Sequence, residues 1–323
     1  MPAGILSQIS LAPETTWGTA VTPTKSIAVR PGDGIQTDTD VQFVDSIKAQ
    51  LAQHTSSFKG AQTHEGEYEM DLVPNYIGYL LRSAFGGVSS VAKSAPNASV
   101  YDHTFTEAET KPALTIEQSV GDITRRYAGS IVHSLRFACN AGEALVCTAG
   151  IRAKSSATAT KITAAYEAPT IRPFNFADMA AAGGFKIGGS NYSGLRSFDF
   201  TYENNHALLH AMGSNDPQFN HAKGSTVGGS FELYLDSTTA AKYTDYLNKT
   251  TQQLDFIFTG DTIGTSANYG LTLTIPRATM TAANDPISED YCLLAVEFEG
   301  EGDTSTGKVM SAILTNLLTT YAS

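Results

Sequence analysis

The chain alternates. In KGAQTHEGEYEMDL (59–72), Tyr68, Met70 and Leu72 interleave with Glu67, Glu69 and Asp71. In KGSTVGGSFELYL (223–235), Phe231, Leu233 and Leu235 interleave with Ser230, Glu232 and Tyr234. A period of two places alternate side chains on opposite faces of a strand, one dry and one wet. The two stretches agree in phase, each opens with Lys-Gly, and each carries a further glycine (Gly66, Gly229). After each, the period changes to a helical one. In PNYIGYLLRSAFGG, Tyr76, Tyr79, Leu80 and Phe85 predict a short amphipathic helix stopped by Gly86 and Gly87. In STTAAKYTDYLNKTT, Ala240, Tyr243, Tyr246 and Leu247 share a stripe, with Ser237 or Thr238 as the cap. Several more strands follow in both places, among them SIVHSLRFAC and EALVCTAGIRAK early, LDFIFTG and YGLTLTIP late. Before each doubled strand lie another strand and a longer polar loop.

The pattern predicts a mostly-β chain of two tandem domains, each a β-sandwich or barrel segment with one short helix. An N-terminal arm (1–25) precedes a first domain (26–180) and a second (181–323). The join is marked by Pro169, Pro173, Gly183 and Gly184. The arm holds the only tryptophan, Trp17, which reads as a plug for a pocket on the same chain or on a neighbour. At the other end, GKVMSAILTNLLTTYAS fits a helix through Val309, Ile313, Leu317 and Tyr321, or a strand over 309–315, equally well.

Composition narrows the function. Charged residues make up only 16% of the 323, and the formal net charge is −11. That balance disfavours a surface that grips nucleic acid, which needs Lys and Arg to displace counterions, but leaves room for DNA as something kept at a distance. Cys139, Cys147 and Cys292 show no CxxC spacing and read as reduced, buried strand residues. Cys139 and Cys147 flank a turn, yet nothing demands a bridge. The opening MPAGILSQIS lacks a charged region followed by an apolar one, so no signal peptide is expected. No run approaches the 18 or so apolar residues of a membrane span.

Candidate chemistry is sparse. His206 and His210 stand four apart with His221 nearby, but HALLH lacks the glutamate of HExxH and lies in a polar loop. No GxSxG elbow occurs, and GGSNYSG (188–194) does not match a phosphate-binding loop. Glu67, Glu69 and Asp71, like Glu297, Glu299 and Glu301, alternate along exposed strand faces rather than pairing in an apolar pocket. Asp199, Glu203 and Glu232 project in the same way. No catalytic, metal or cofactor site is expected, and the chain does not read as an enzyme. It reads as a protein with an acidic surface.

The arm ETTWGTAVTPTKSIAV, the doubled KG…G…E-x-x-L strand with its short helix, the block ALTIEQ…RRYAGSIVHSLRFACNAGEALVCTAGI and the ending ILTN…Y occur in family order. Together, over nearly the whole chain, they resemble the tail tube (major tail) proteins of long-tailed bacteriophages. The doubling departs from the simplest members. The resemblance implies tail-tube-like β domains that form rings around a channel, rings that stack into a tube, and transient passage of double-stranded DNA without specific binding. Further partners would be other tail proteins at the tube ends, with no membrane. The location would be the virion tail, assembled in the host bacterial cytoplasm. Two domains per chain imply a trimeric ring with pseudo-sixfold symmetry, with six chains as the alternative. Glu67, Glu69, Asp71, Asp199, Glu203 and Glu232 are the expected lumen lining. Trp17, His54 in loop 48–58, and His206, His210 and His221 in loop 204–222 are the expected contacts between subunits or rings. The competing reading is a β-sandwich surface module, an adhesin or carbohydrate binder, which would want an export signal.

Overall fold

The computed structural model describes residues 4–321 apart from 46, 48–50, 52, 180–182, 237, 238 and 285–291. The chain is mostly β with two short helices. The first half comprises β1 (Gln8–Pro13), β2 (Lys25–Ile27), β3 (Gln36–Asp45), β4 (His54–Asp71), α1 (Ile77–Phe85), β5 (Gly86–Ala92), β6 (Tyr101–Glu107), β7 (Leu114–Val120), β8 (Ile123–Asn140), β9 (Val146–Ala153) and β10 (Ser155–Thr158). The second half comprises β11 (Phe185–Ile187), β12 (Ser190–Asn191), β13 (Leu195–Glu203), β14 (Ala207–Leu209), β15 (Phe219–His221), β16 (Thr226–Tyr234), α2 (Ala240–Leu247), β17 (Thr251–Ile263), β18 (Ala267–Asn284), β19 (Leu293–Gly300) and β20 (Ser311–Asn316).

The halves carry the same antiparallel ladder. In the first, the order is β3–β4–β9–β8–β7–β1–β2. In the second it is β13–β16–β19–β18–β17–β11–β12. Even the bulges recur: between Val132 and Ser134 on β8 as between Met280 and Ala282 on β18, and between Leu114 and Ile116 on β7 as between Gln252 and Leu254 on β17. β8 and β18 each change partners around the bulge: β8 from β7 and β10 to β9 and β13, and β18 from β17 and β20 to β19. Bulged strands of this kind turn the corner from one sheet of a sandwich to the next. Gly66 and Gly229 also correspond. A Cβ on Gly66 would meet the Gly34 and Ile35 backbone within 2.6 Å, and one on Gly229 the backbone of Asp199 and Phe200 within 2.4 Å.

Besides the β14–β15 hairpin, which stands between β13 and β16 where β3 runs on into β4, two differences break the repeat. Residues 14–24 join β1 to β2, where Gly188 and Gly189 alone join β11 to β12. The β5–β6 hairpin follows α1, whereas α2 leads directly into β17. The halves are joined through β8 to β13 and through β6 to β20, so that among the described residues 18 strands form one connected sheet system with no closed barrel. Eight of them, β3–β4–β9–β8–β13–β16–β19–β18, run side by side. Their apolar side faces the outer layer, where Phe198 and Phe200 meet Phe256 at 4.7 and 4.9 Å, and Tyr68 hydrogen-bonds Gln118 of β7.

Several expectations change. Residues 8–13 are no arm: β1 pairs with β7 and buries Ile9, Leu11 and Ala12. Residues 54–58, read as loop, begin β4. The C-terminal ambiguity resolves to a strand, since β20 lies between β18 and β6. Cys139 and Cys147 are buried and free, while Cys292 is exposed and outside any strand. The expected caps Ser237 and Thr238, and the boundary at 180, lie outside the described residues.

Candidate functional site

The eight-stranded layer presents one polar face. Asp71, Val146, Ala138, Asp199, Ser230, Glu297 and Ala282 stand abreast across seven strands. The next row reads Glu69, Thr148, Arg136, Thr201, Gly228 and Glu299. All six acidic residues singled out in the sequence lie on this face, because the odd positions of β4 and β13 and the even positions of β16 point the same way. Glu297 and Glu299 join them from β19.

The acids are partly neutralised. Arg30 reaches Glu69 and Asp71, both at 2.7 Å. Arg136 forms a two-point pair with Asp199, and Arg196 contacts Glu232 at 3.0 Å. These groups are largely exposed, and exposed pairs contribute only about 0–1 kcal/mol each. Glu65 and Arg152, on the same face, pair at 3.2 Å as well, and the consequence is electrostatic: nine carboxylates against four guanidinium groups leave the face near −5. None of these arginines was singled out in the sequence. Arg136 carried a signal, since it alternates with Leu135 and Phe137 in SLRFAC, whereas Arg30 carried none, because it lies outside any alternating run.

The histidines separate. His54 is exposed near the start of β4, its Nδ1 2.6 Å from Asp45 and its ring 4.9 Å from Phe43. His210 and His221 are also exposed. His206, expected at a subunit contact, is instead buried inside the chain at 2% exposure. Its neighbours 207–209 form a strand, so no helical face aligns it with His210. Asn204 explains its position. The Asn204 amide donates to the carbonyls of Ala84 and Val132, and its Oδ1 accepts from the His206 backbone N–H. This fastens the end of β13 to α1 and β8. Trp17 packs on its own chain, its Nε1 donating to the Gly129 carbonyl at 3.3 Å and the Lys154 ammonium 4.3 Å from its ring.

Neither ring nitrogen of His206 has a hydrogen-bond partner among the described residues. Burial, with Lys111, Arg152 and His221 adding repulsion, pushes its pKa down to about 4. Burial, with Arg152 and His206, does the same to His133. In the unfolded chain both titrate near 6.5. Between those values the native state holds fewer protons, so stability is complete above about pH 6.5 and is lost as pH falls toward 4. The loss is at most about 3 kcal/mol per imidazole. Urea midpoints measured at pH 7 and pH 4.5 are expected to drop on acidification, and His206→Leu to remove part of that drop, the rest staying with His133 and with His64 and His103, which burial also lowers. A variant with the same pH slope as the wild type would show that His206 is not responsible.

Two edges of the eight-stranded layer have no strand partner among the described residues: the outer side of β3, and the stretch 280–284 of β18 opposite β19. Beyond the layer, the β3–β4 hairpin continues alone. Residues 64–71 of β4 pair with β9, and 54–63 run past it. The β14–β15 hairpin braces the base of this projection: Asn215 bonds Lys59, Gly60 and Gln62, and Asp216 lies 3.3 Å from buried His64.

A family model described as phage tail tube protein matches residues 4–302. No curated protein matches the chain. No group of three or more metal-ligating side chains occurs among the described residues, and no described helix is long and apolar enough to cross a membrane.

Proposed function

Since the chain belongs to the phage tail tube proteins, a structural component of the virion tail, we propose that three copies close a ring through their free strand edges and that rings stack into a tube around a negatively lined channel. One observation carries this reading: each free edge has a paired counterpart in the same chain. β13 corresponds to the segment 30–38, and β8 to β18, through the shared ladder and bulges. Within the chain, β8 and β13 pair, with Ser134 opposite Glu203 and Arg136 opposite Thr201. The same register between copies puts Ala282 opposite Asp38 and Asn284 opposite Gln36 of the next chain. The junction inside the chain is thus a template for the junction between chains. An exposed strand edge invites such pairing, and ring closure removes it.

Three eight-stranded layers make 24 strands. At about 4.8 Å per strand and a tilt near 40°, that barrel is roughly 50 Å across its backbone; six chains would give roughly 100 Å. With the apolar side covered by the outer layer, the polar face turns inward. Duplex DNA carries a charge about every 1.7 Å, so a net-negative wall holds no phosphate and lets the genome slide. The division at residue 180 into two tail-tube-like domains fits the same scheme, as do assembly in the host cytoplasm and other tail proteins at the tube ends.

Electron microscopy of the concentrated protein tests this directly. The expected result is tubes with threefold rings, a backbone bore near 50 Å, and Glu69, Asp199 and Glu297 facing the lumen. A sixfold ring of twice that bore, or a monomer at all concentrations, would refute it.

A further inference from the structure

The two helices are placed alike and covered differently. α1 lies against β8 and α2 against β18, the strand that turns the corner in each half. Inside the chain, the outer sheet of the second half closes over α1. β20 and β6 extend that sheet from β18 and pack against the helix. Tyr321, just past β20, stands edge-on to Tyr79 and fills the space that a side chain on Gly78 would take. Further along, the Phe258 ring of β17 lies 6.1 Å from Phe174, whose backbone N–H donates to the Leu72 carbonyl. Leu80 and Ala84 of α1, and Phe258 and Leu271 of the covering sheet, are all buried.

The corresponding positions are bare. With the offset of Gly66 to Gly229, Leu80 becomes Tyr243 and Ala84 becomes Leu247. Both are exposed, Leu247 at 62%. In the first half, β7 and β8 leave their bulge with Ile116 opposite Tyr127, as β17 and β18 leave theirs with Leu254 opposite Ile275. Four residues further along each ladder stand Val120 opposite Ile123, and Phe258 opposite Leu271. Val120 and Ile123 are exposed, Ile123 at 64%. Each half therefore carries an uncovered apolar patch, and the counterparts of both patches belong to the contact between the halves. The strand junction proposed above sets the second half of one copy against the first half of the next. In that order α2 meets the neighbouring β7–β8 hairpin as α1 meets β17 and β18.

We infer that the tip of the β7–β8 hairpin of one copy lays Val120 and Ile123 on Tyr243 and Leu247 of α2 in the adjacent copy of the ring. The occupant of each patch is a second copy of this chain. This contact rests on the ring reading and adds to it an outer junction beside the paired strand edges. The cover is smaller than the one inside the chain. Gly121 and Asp122 alone turn β7 into β8, where residues 259–270 prolong the other hairpin, and no hairpin like β5–β6 follows α2. A ring of three copies then alternates three larger junctions within chains and three smaller ones between them.

A charge swap tests it. Leu247→Glu places a carboxylate under Ile123 of the neighbour, and Ile123→Lys supplies a cation opposite it. Both positions are exposed in the single chain, so circular dichroism of the variants should match the wild type. Leu247→Glu alone is expected to lose rings at concentrations where the wild-type chain forms them, and so is Leu247→Glu with Ile123→Glu. Leu247→Glu with Ile123→Lys should regain them. Normal rings from Leu247→Glu alone, or no recovery with Ile123→Lys, overturn the contact. Labelling gives a second readout that needs no charged variant. Leu247→Cys combined with Cys292→Ser should react with a maleimide in the dilute monomer and be protected in assembled rings, and equal labelling in both overturns the contact. These results strike the contact alone while wild-type rings stand. Failure of the wild-type chain to form rings would instead sink the ring reading, and the contact with it.

Discussion

Thr39→Pro is expected to yield a folded monomer that forms no rings. The Gln62 backbone N–H donates to Asn215 rather than to β3. Gln62 stands opposite Thr39, so this is a non-hydrogen-bonded pair, and the Thr39 N–H points away from β4 toward the free edge. Its counterpart in the second half is Asn204, whose N–H donates to the His133 carbonyl at 3.0 Å. In the proposed ring, Thr39 donates to Thr281 of the neighbouring chain in the same way. Proline removes that donor and suits an edge strand. The internal cost is one side-chain bond, from Gln62 Nε2 to Thr39 Oγ1, worth about 1 kcal/mol. Circular dichroism should therefore be unchanged, while sedimentation shifts wholly to monomer. Asp38→Pro is the contrast, because Asp38 faces Thr63 one step along the ladder and its N–H serves β4. That variant should lose the hairpin itself. Wild-type tubes from Thr39→Pro would exclude the β3 edge as the ring junction.

Gly66→Ala and Gly229→Ala are expected to destabilise the chain by about 3 kcal/mol each, the upper range for overpacking a well-filled site. At both positions a methyl group meets neighbouring backbone: the Gly34 carbonyl oxygen at 2.1 Å, on the turn that leads into β3, and the Asp199 carbonyl oxygen at 2.3 Å, on β13. Backbone cannot rotate away as a side chain can, and here it is held by the β13–β16 ladder at Gly229 and by the start of the β3–β4 ladder, one residue on, at Gly66. The melting temperature should fall by roughly 6–12 °C. Gly228, one residue away, meets nothing closer than the Phe298 carbonyl oxygen at 3.4 Å and has no positive φ. Gly228→Ala should be neutral, or stabilising by about 0.5 kcal/mol through the unfolded chain. Equal losses at Gly228 and Gly229 would show that general strand propensity, rather than the close approach, explains the glycine.

Although the sequence did not show that the three acid-bearing strands share one face, the mostly-β class, the doubled strand, both helices and the wet side on which each of the six acids sits along its own strand were legible in it. They share a cause: alternation and amphipathic spacing are local, and each strand or helix writes its dry side into neighbouring residues. The repeat added the correspondence of Tyr68 with Phe231 and of Gly66 with Gly229 across the chain. Partner choice is another matter. Nothing in the alternation of β8 says that its last turns pair with β13, or that β20 finds β6 more than 200 residues earlier. β1 was missed because six residues among turns, prolines and Trp17 carry too short a pattern to separate strand from arm. His206 was misplaced because its burial comes from Asn204 clamping the chain to α1 and β8, contacts more than 70 residues distant. The sequence by itself determined which residues are wet, which are dry and that the unit is repeated. Only the tertiary structure decided which edges are consumed within the chain and which are left without a partner among the described residues, because a strand edge is satisfied by whichever backbone reaches it, and backbone hydrogen bonds are blind to sequence.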